Sequence, residues 1–144
     1  MAILTQEDKE LLLKDLSARL PYGVLVFIRK PFGCVMSEYE EEELTTDTLQ
    51  EFIENDDMLM RVLPYLRPMS SMTEEEMETY ESFVKYGEYD TGSITGHYEY
   101  NYVEIDKIND FINWLNAHHF DYRGLIEKGL AIEVTKENNP YERF

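Results

Sequence analysis

The scarce reactive groups of this sequence are one cysteine, Cys34, and three histidines, His97, His118 and His119. A cysteine nucleophile needs its thiolate, a base and an orienting group. No spacing couples Cys34 to a histidine, so it is expected to act as a small, half-buried strand hydrophobe. A single cysteine also excludes an intramolecular disulfide and a thiolate zinc cluster. His118, His119 and Asp121 carry suitable donor atoms for zinc, yet adjacent helical residues point about 100° apart and do not easily share one ion. The expected roles of the two histidines are a charge partner for a helix end and partial burial. Carboxylate pairs at hydrolase-like separation arise by chance among thirty Asp and Glu, and only a cleft that splits their pKa values gives them meaning. No phosphate-cradling glycine loop, nucleophile elbow or dinucleotide fingerprint appears. The sequence therefore predicts no catalytic residue, no metal ligand and no cofactor.

Binding chemistry is better represented. Thirty Asp and Glu against thirteen Lys and Arg give a formal charge of −17, a field that repels phosphate backbones and anionic headgroups. Direct nucleic-acid and membrane binding are not expected. Between Glu38 and Asp57 stand ten acidic residues and no basic one. Glu40, Glu41, Glu42, Glu43, Asp47, Glu51, Glu54, Asp56 and Asp57 are accordingly the candidate partner-binding residues, with a basic protein surface as the partner. A solvated face that confers solubility is the ordinary alternative. Tyr98, Tyr100 and Tyr102 alternate with polar residues and would share one strand face, where they either cover a core or make a protein contact. Met58, Met60, Met69, Met72 and Met77 cluster within residues 58–77 and fit core filling better than an adaptable contact surface.

These side chains must be positioned by elements that the sequence also marks. Thr5 is placed as the N-cap of a helix over Gln6 to Leu20, with Leu12, Leu13, Leu16 and Leu20 as its apolar stripe and Pro21-Tyr22-Gly23 as its stop. Val24 to Ile28 reads as a strand, Lys30-Pro31-Phe32-Gly33 as a type I turn, and Cys34 to Tyr39 as the returning strand. Leu49, Phe52 and Ile53 mark a helix from Asp47 to Asn55. Met58 to Leu63 is expected to form a short strand that ends before Pro64, because proline does not suit an internal strand.

Thr73 and Glu76 have the spacing of a capping box, flanked by Met72 and Met77 as a hydrophobic staple, for a helix from Glu74 to Tyr86. Gly87 to Gly96 is expected to be a mobile connection, and Tyr98 to Tyr102 a strand. A helix from Asp106 to His118 carries Ile108, Phe111, Ile112 and Leu115 on its apolar face. A helical turn near Tyr122 to Lys128, ended by Gly129, leads to a strand at Leu130 to Val134. No internal repeat is present.

Three blocks, LTQEDKELLLKDLSARLPYGV (Leu4 to Val24), PYLRPMSSMTEEE (Pro64 to Glu76) and WLNAHHFDYRGLIEKGLAIE (Trp114 to Glu133), resemble those of a family of small proteins from Bacteroides-type gut bacteria and their phages and mobile elements. That family has no assigned activity or catalytic residue. The resemblance implies a bacterial or phage setting in the cytoplasm and transfers no site.

A hydrophobic fraction of 43% in 144 residues suits one core-bearing domain over residues 1–134, with a polar tail at 135–144 that frays. No apolar run approaches the ~20 residues of a membrane span, and no signal-peptide core follows Met1. The expected fold is α+β, a small, mostly antiparallel sheet covered by three or four helices. The expected function is that of a cytoplasmic, non-enzymatic, acidic protein-binding accessory. Two alternatives belong to other classes. The first is a DNA mimic that inhibits a nucleic-acid-binding host protein, which requires regularly spaced carboxylates. The second is a small enzyme or metal-binding protein, which requires distant groups to converge.

Overall fold

Thr5 caps the first helix, α1 (Gln6–Arg19), through Oγ1, which accepts from the Asp8 amide at 3.0 Å. Glu7 and Asp8 lie in the first turn, where the helix dipole favours acids. Leu12 and Leu16 are fully buried. The helix tightens into a 3₁₀ turn at Leu20–Tyr22, and Gly23 then reverses the chain with φ of 69°. The left-handed backbone makes any side chain there strained, while the 2.9 Å approach of a Cβ to Glu43 Oε1 would be relieved by moving the tip of that exposed side chain.

The computed structural model describes residues 4–32, 35–36, 40–90, 92 and 96–142, with backbone only at 31–32 and 35–36. Contacts divide the chain into two compact units, Met1–Met69 with Leu115–Phe144, and Ser70–Trp114. The fold is α+β. In the first unit β1 (Leu25–Arg29) is followed by a short pair, β2 (Pro31–Phe32) and β3 (Val35–Met36), and then by β4 (Glu40–Glu43). β4 returns antiparallel along β1, with Leu25 opposite Glu43 and Ile28 opposite Glu40. The chain does return on β1, but not as expected: Pro31 and Phe32, read as turn, are strand paired with Val35 and Met36, and the partner of β1 is Glu40–Glu43, beyond the expected return strand at Cys34 to Tyr39. Gly33, Cys34 and residues 37–39 fall outside the described residues, and with them the strand environment expected for Cys34.

Helix α2 (Thr46–Glu54) follows, capped by Thr45, whose Oγ1 accepts from the Thr48 amide at 3.2 Å. Next come β5 (Arg61–Leu66) and, after the second unit, β8 (Ile132–Glu133). The sheet order is β4-β1-β5-β8. β5 runs antiparallel to β1 and parallel to β8.

β5 corrects the expectation of a strand that stops before Pro64, because Pro64 sits inside it, opposite Val26. Proline is tolerated here through alternation. Leu66 accepts through its carbonyl from Val134, so Pro64, two residues earlier, turns its nitrogen to the same β8 side. Pairing with β8 starts only at Tyr65. The missing N–H thus removes no rung of the ladder.

The two faces of the sheet bury different residues. Val24, Val26, Ile28, Val62 and Leu66 join Leu12 and Leu16 of α1 and Phe52 of α2 in the larger cluster, which also takes in Met60, with Met58 packed against it. These two methionines are core filling, as expected, whereas Met77, included in the same expectation, is exposed. Leu25, Tyr65 and Val134 form the second cluster, with Phe27, Ile132 and Tyr141 against it. Tyr141 comes from the polar C-terminal segment expected to fray. Its hydroxyl donates to the Tyr65 carbonyl at 2.7 Å and accepts from the Leu25 amide at 3.1 Å, and Pro140 beside it is buried.

The second unit opens with the capping box read from sequence. Glu76 N donates to Thr73 Oγ1 at 3.2 Å and Thr73 N donates to Glu76 Oε1 at 2.9 Å. Helix α3 (Glu74–Phe83) ends three residues before the expected Tyr86, and the chain passes directly into β6 (Val84–Asp90). β6 pairs antiparallel with β7 (His97–Val103), from Val84 opposite Val103 to Asp90 opposite His97. Residues 87–90, expected within a mobile connection, are thus strand, because a seven-rung ladder overrides the local glycine signal.

Helix α4 (Ile108–Ala117) follows a 3₁₀ turn at Ile105–Lys107. Aromatic contacts join α3 and α4: Phe83 lies 5.3 Å from Phe111 and 6.2 Å from Trp114 between ring centroids. Among the described residues, no helix is long and apolar enough to cross a membrane.

Candidate functional site

The acidic residues singled out by sequence do not form one array. β4 presents alternate carboxylates to opposite faces of the sheet. Glu41 accepts from the Tyr65 hydroxyl at 2.7 Å, while Glu42 accepts from Thr48 Oγ1 at 2.8 Å. Glu40 and Glu43 are exposed. On α2, Asp47 is exposed in the first turn, Glu51 pairs with Lys30 at 3.0 Å, and Glu54 accepts from Gln50 at 2.8 Å. Asp56 is exposed, and Asp57 accepts from the Leu59 amide at 2.9 Å. Lys30, Glu51, Glu54 and Asp57 line a hollow of about 390 Å³. Several of these carboxylates therefore serve local structure. β4 lies at the edge of its sheet, where charges discourage further strand pairing.

The histidines next to α4 are also occupied structurally. His119 has φ of 62° and stacks on Tyr141 at 4.0 Å, while His118 stacks on Phe120 at 6.3 Å. Burial first, then the nearby charges of Arg19, His118 and Arg67, lowers the pKa of His119 to about 4. Its role is therefore partial burial as a neutral ring rather than a charged partner for the helix end. Asp121 is committed as a cap, accepting from the Leu125 amide at 2.8 Å and the Ile126 amide at 3.0 Å. The same region holds a network invisible in the sequence pattern. Asp15, fully buried, accepts from Arg19 Nε at 2.9 Å and Arg123 Nε at 3.1 Å. Arg19 also donates to the Phe120 carbonyl at 2.7 Å, and both arginines lie over the Tyr122 ring.

The β6–β7 ribbon is different, since much of its chemistry faces outward. Directly opposed residues share a face, which puts Lys85, Gly87 and Tyr89 together with Tyr98, Tyr100 and Tyr102. Tyr89, Tyr98, Tyr100 and Tyr102 are 57%, 58%, 49% and 44% exposed. Of the two roles expected for Tyr98, Tyr100 and Tyr102, covering a core is corrected, because each of these side chains stays exposed over about half of its surface. Tyr89 stacks on Tyr98 at 6.3 Å and Tyr100 lies 5.8 Å from Tyr102. Gly87 makes room for this surface. A Cβ at that position would lie 2.5 Å from the Tyr100 ring, so the ring covers the glycine backbone.

The opposite face carries Tyr86, Glu88 and Asp90 with His97, Glu99 and Asn101. Tyr86 donates to Glu88 Oε1 at 2.7 Å. The hydrogen bond that Tyr86 donates to Glu88, followed by burial and the Glu99 carboxylate, raises the phenol pKa well above its ordinary value.

The sequence signalled the tyrosine alternation but not its exposure, and it gave no hint that Tyr89 would join it across strands. An exposed row of phenol rings can stack on a guanidinium group, a nucleobase or a sugar. The surrounding charge favours the guanidinium, because within Ser70–Trp114 the basic residues are Lys85 and Lys107 against a large excess of Asp and Glu. Compared with protein-family models, with curated proteins and with solved structures, the chain matches none of them.

Proposed function

We propose that this chain is a non-catalytic binding protein that takes a basic, arginine-rich protein segment on the tyrosine face of the β6–β7 ribbon. The observation that carries this reading is the row Tyr89, Tyr98, Tyr100 and Tyr102, exposed on one strand face within an acidic unit. Contiguous exposed aromatic surface costs solubility unless a partner uses it, and tyrosine is enriched among the residues that dominate interface energy. A guanidinium over an exposed ring contributes about 0.5–1 kcal/mol, so a segment with several arginines gains affinity from the row. The acidic field speeds its approach and discriminates against acidic partners. The β4–α2 acids then serve long-range attraction rather than contact. A DNA-mimic role receives less support, because alternation along β4 and the bonds of Glu41 and Glu42 break up the regular carboxylate array that it requires.

Affinity capture from native cells with the full chain, beside a Tyr98→Ala/Tyr100→Ala/Tyr102→Ala variant, tests this reading. The expected result is a basic protein bound by the wild type, released by high salt and lost from the triple variant. A partner retained by the triple variant and lost from a variant with Gln at 40–43 would move the site to β4. Retention by both would refute the proposal.

A further inference from the structure

The second face of the ribbon carries groups that the tyrosine reading does not use. Glu88 and Glu99 stand directly opposite each other across the two strands, and His97 stands on the same face opposite Asp90. One donor atom from each of Glu88, His97 and Glu99 lies within 4.8 Å of the other two, and all three residues are exposed. His97 Nε2 is 3.8 Å from Glu99 Oε1.

Two like charges directly opposite on a sheet repel each other, and the one basic side chain of β6, Lys85, belongs to the tyrosine face. The arrangement is more than an acidic patch, because an imidazole nitrogen converges with the two carboxylates. Donors about 2.0–2.2 Å from a common ion stand at most roughly 4.4 Å apart. A small rotation of exposed side chains closes the present spacing. Tyr86 supplies the outer support by donating to Glu88 Oε1 at 2.7 Å, the kind of bond that orients a carboxylate ligand.

We propose that Glu88, His97 and Glu99 bind one late first-row divalent cation, such as Zn(II), on the ribbon face opposite the tyrosines. An imidazole with two carboxylates suits Zn(II), Ni(II), Co(II) or Cu(II), whereas Mg(II) and Ca(II) prefer all-oxygen sets. Three protein donors leave coordination positions for water or for a ligand from outside. The ion ties β6 to β7 and neutralises the opposed glutamates, so it stabilises the ribbon. This inference stands independently of the tyrosine face.

The test is a titration of the full chain with ZnCl₂, followed by calorimetry and by NMR of the histidine side chains. One equivalent is expected to shift the His97 ring resonances ahead of those of His118 and His119. His97→Ala, Glu88→Gln and Glu99→Gln should each weaken binding at least tenfold, while Glu7→Gln, an equal change of charge on α1, should leave it unchanged. Millimolar MgCl₂ should not move the His97 signals. Unperturbed His97 resonances through one equivalent, or equal binding by His97→Ala and wild type, would overturn the site and leave only diffuse attraction of cations to an acidic protein.

Discussion

Single side chains in this protein do their work through hydrogen-bond satisfaction and burial. Thr73 completes both halves of a capping box. Thr73→Ala should therefore cost about 1 kcal/mol, read from denaturant melts and from faster amide exchange in the first turn of α3. Unchanged exchange would mean that the cap contributes nothing. His119 makes the opposite kind of statement, because its pKa falls from 6.5 to about 4 on folding. A histidine held neutral in the folded state binds its proton more readily when unfolded. Its contribution is fully present above pH 6.5 and is lost as pH falls toward 4. His119→Asn, which tolerates the left-handed backbone, should lose the stack on Tyr141 and show a shallower fall in stability from pH 7 to pH 4.5. An identical pH slope in the two proteins would sink this assignment. The sequence marked Thr73 through its three-residue spacing to Glu76, but the depressed His119 rests on Arg19, Arg67 and Tyr141, which local pattern does not bring near it.

Elements are joined by groups far apart in the chain. Asp15 of α1 ties Arg19 to Arg123 of the C-terminal segment, and Arg19 reaches on to the Phe120 carbonyl. A buried ion pair adds little net stability when intact, yet removing one partner strands the other charge. Asp15→Asn should cost about 3–5 kcal/mol, measured by urea unfolding; a loss below 1 kcal/mol would show that Arg19 finds another partner. The ribbon shows how an element forms against local preference. Gly87 weakens a strand by itself, but the Tyr100 ring lies where its Cβ would be. Gly87→Ala should displace that ring, changing the near-ultraviolet circular dichroism of the tyrosines while far-ultraviolet strand content is kept. An unaltered near-ultraviolet spectrum would mean that Tyr100 does not cover the glycine in solution.

Charge governs the molecule at its largest scale. A net charge of −17 is self-repulsive, and the Debye length falls from about 30 Å at 0.01 M to about 8 Å at 0.15 M salt. Thermal stability should rise across that range of sodium chloride, and a flat or falling series would remove repulsion as a significant force. The same charge, together with the N-caps at Thr5 and Thr73, the stripe of α1, the strand at Val24 to Ile28 and the alternation of Tyr98, Tyr100 and Tyr102, was legible from residue order alone. Each depends on chemistry within a few positions, where spacing maps directly onto geometry. Other features needed the fold: Pro64 within an internal strand, Gly87 to Asp90 as strand rather than loop, Tyr141 docked under the sheet, and the ring row left in solvent. So did the convergence of Glu88, His97 and Glu99. The physical reason is common to all of them. A side chain's periodicity says which residues share a face, but whether another layer covers that face, and which distant donor meets it, is set by strand pairing and packing between segments that the sequence keeps apart.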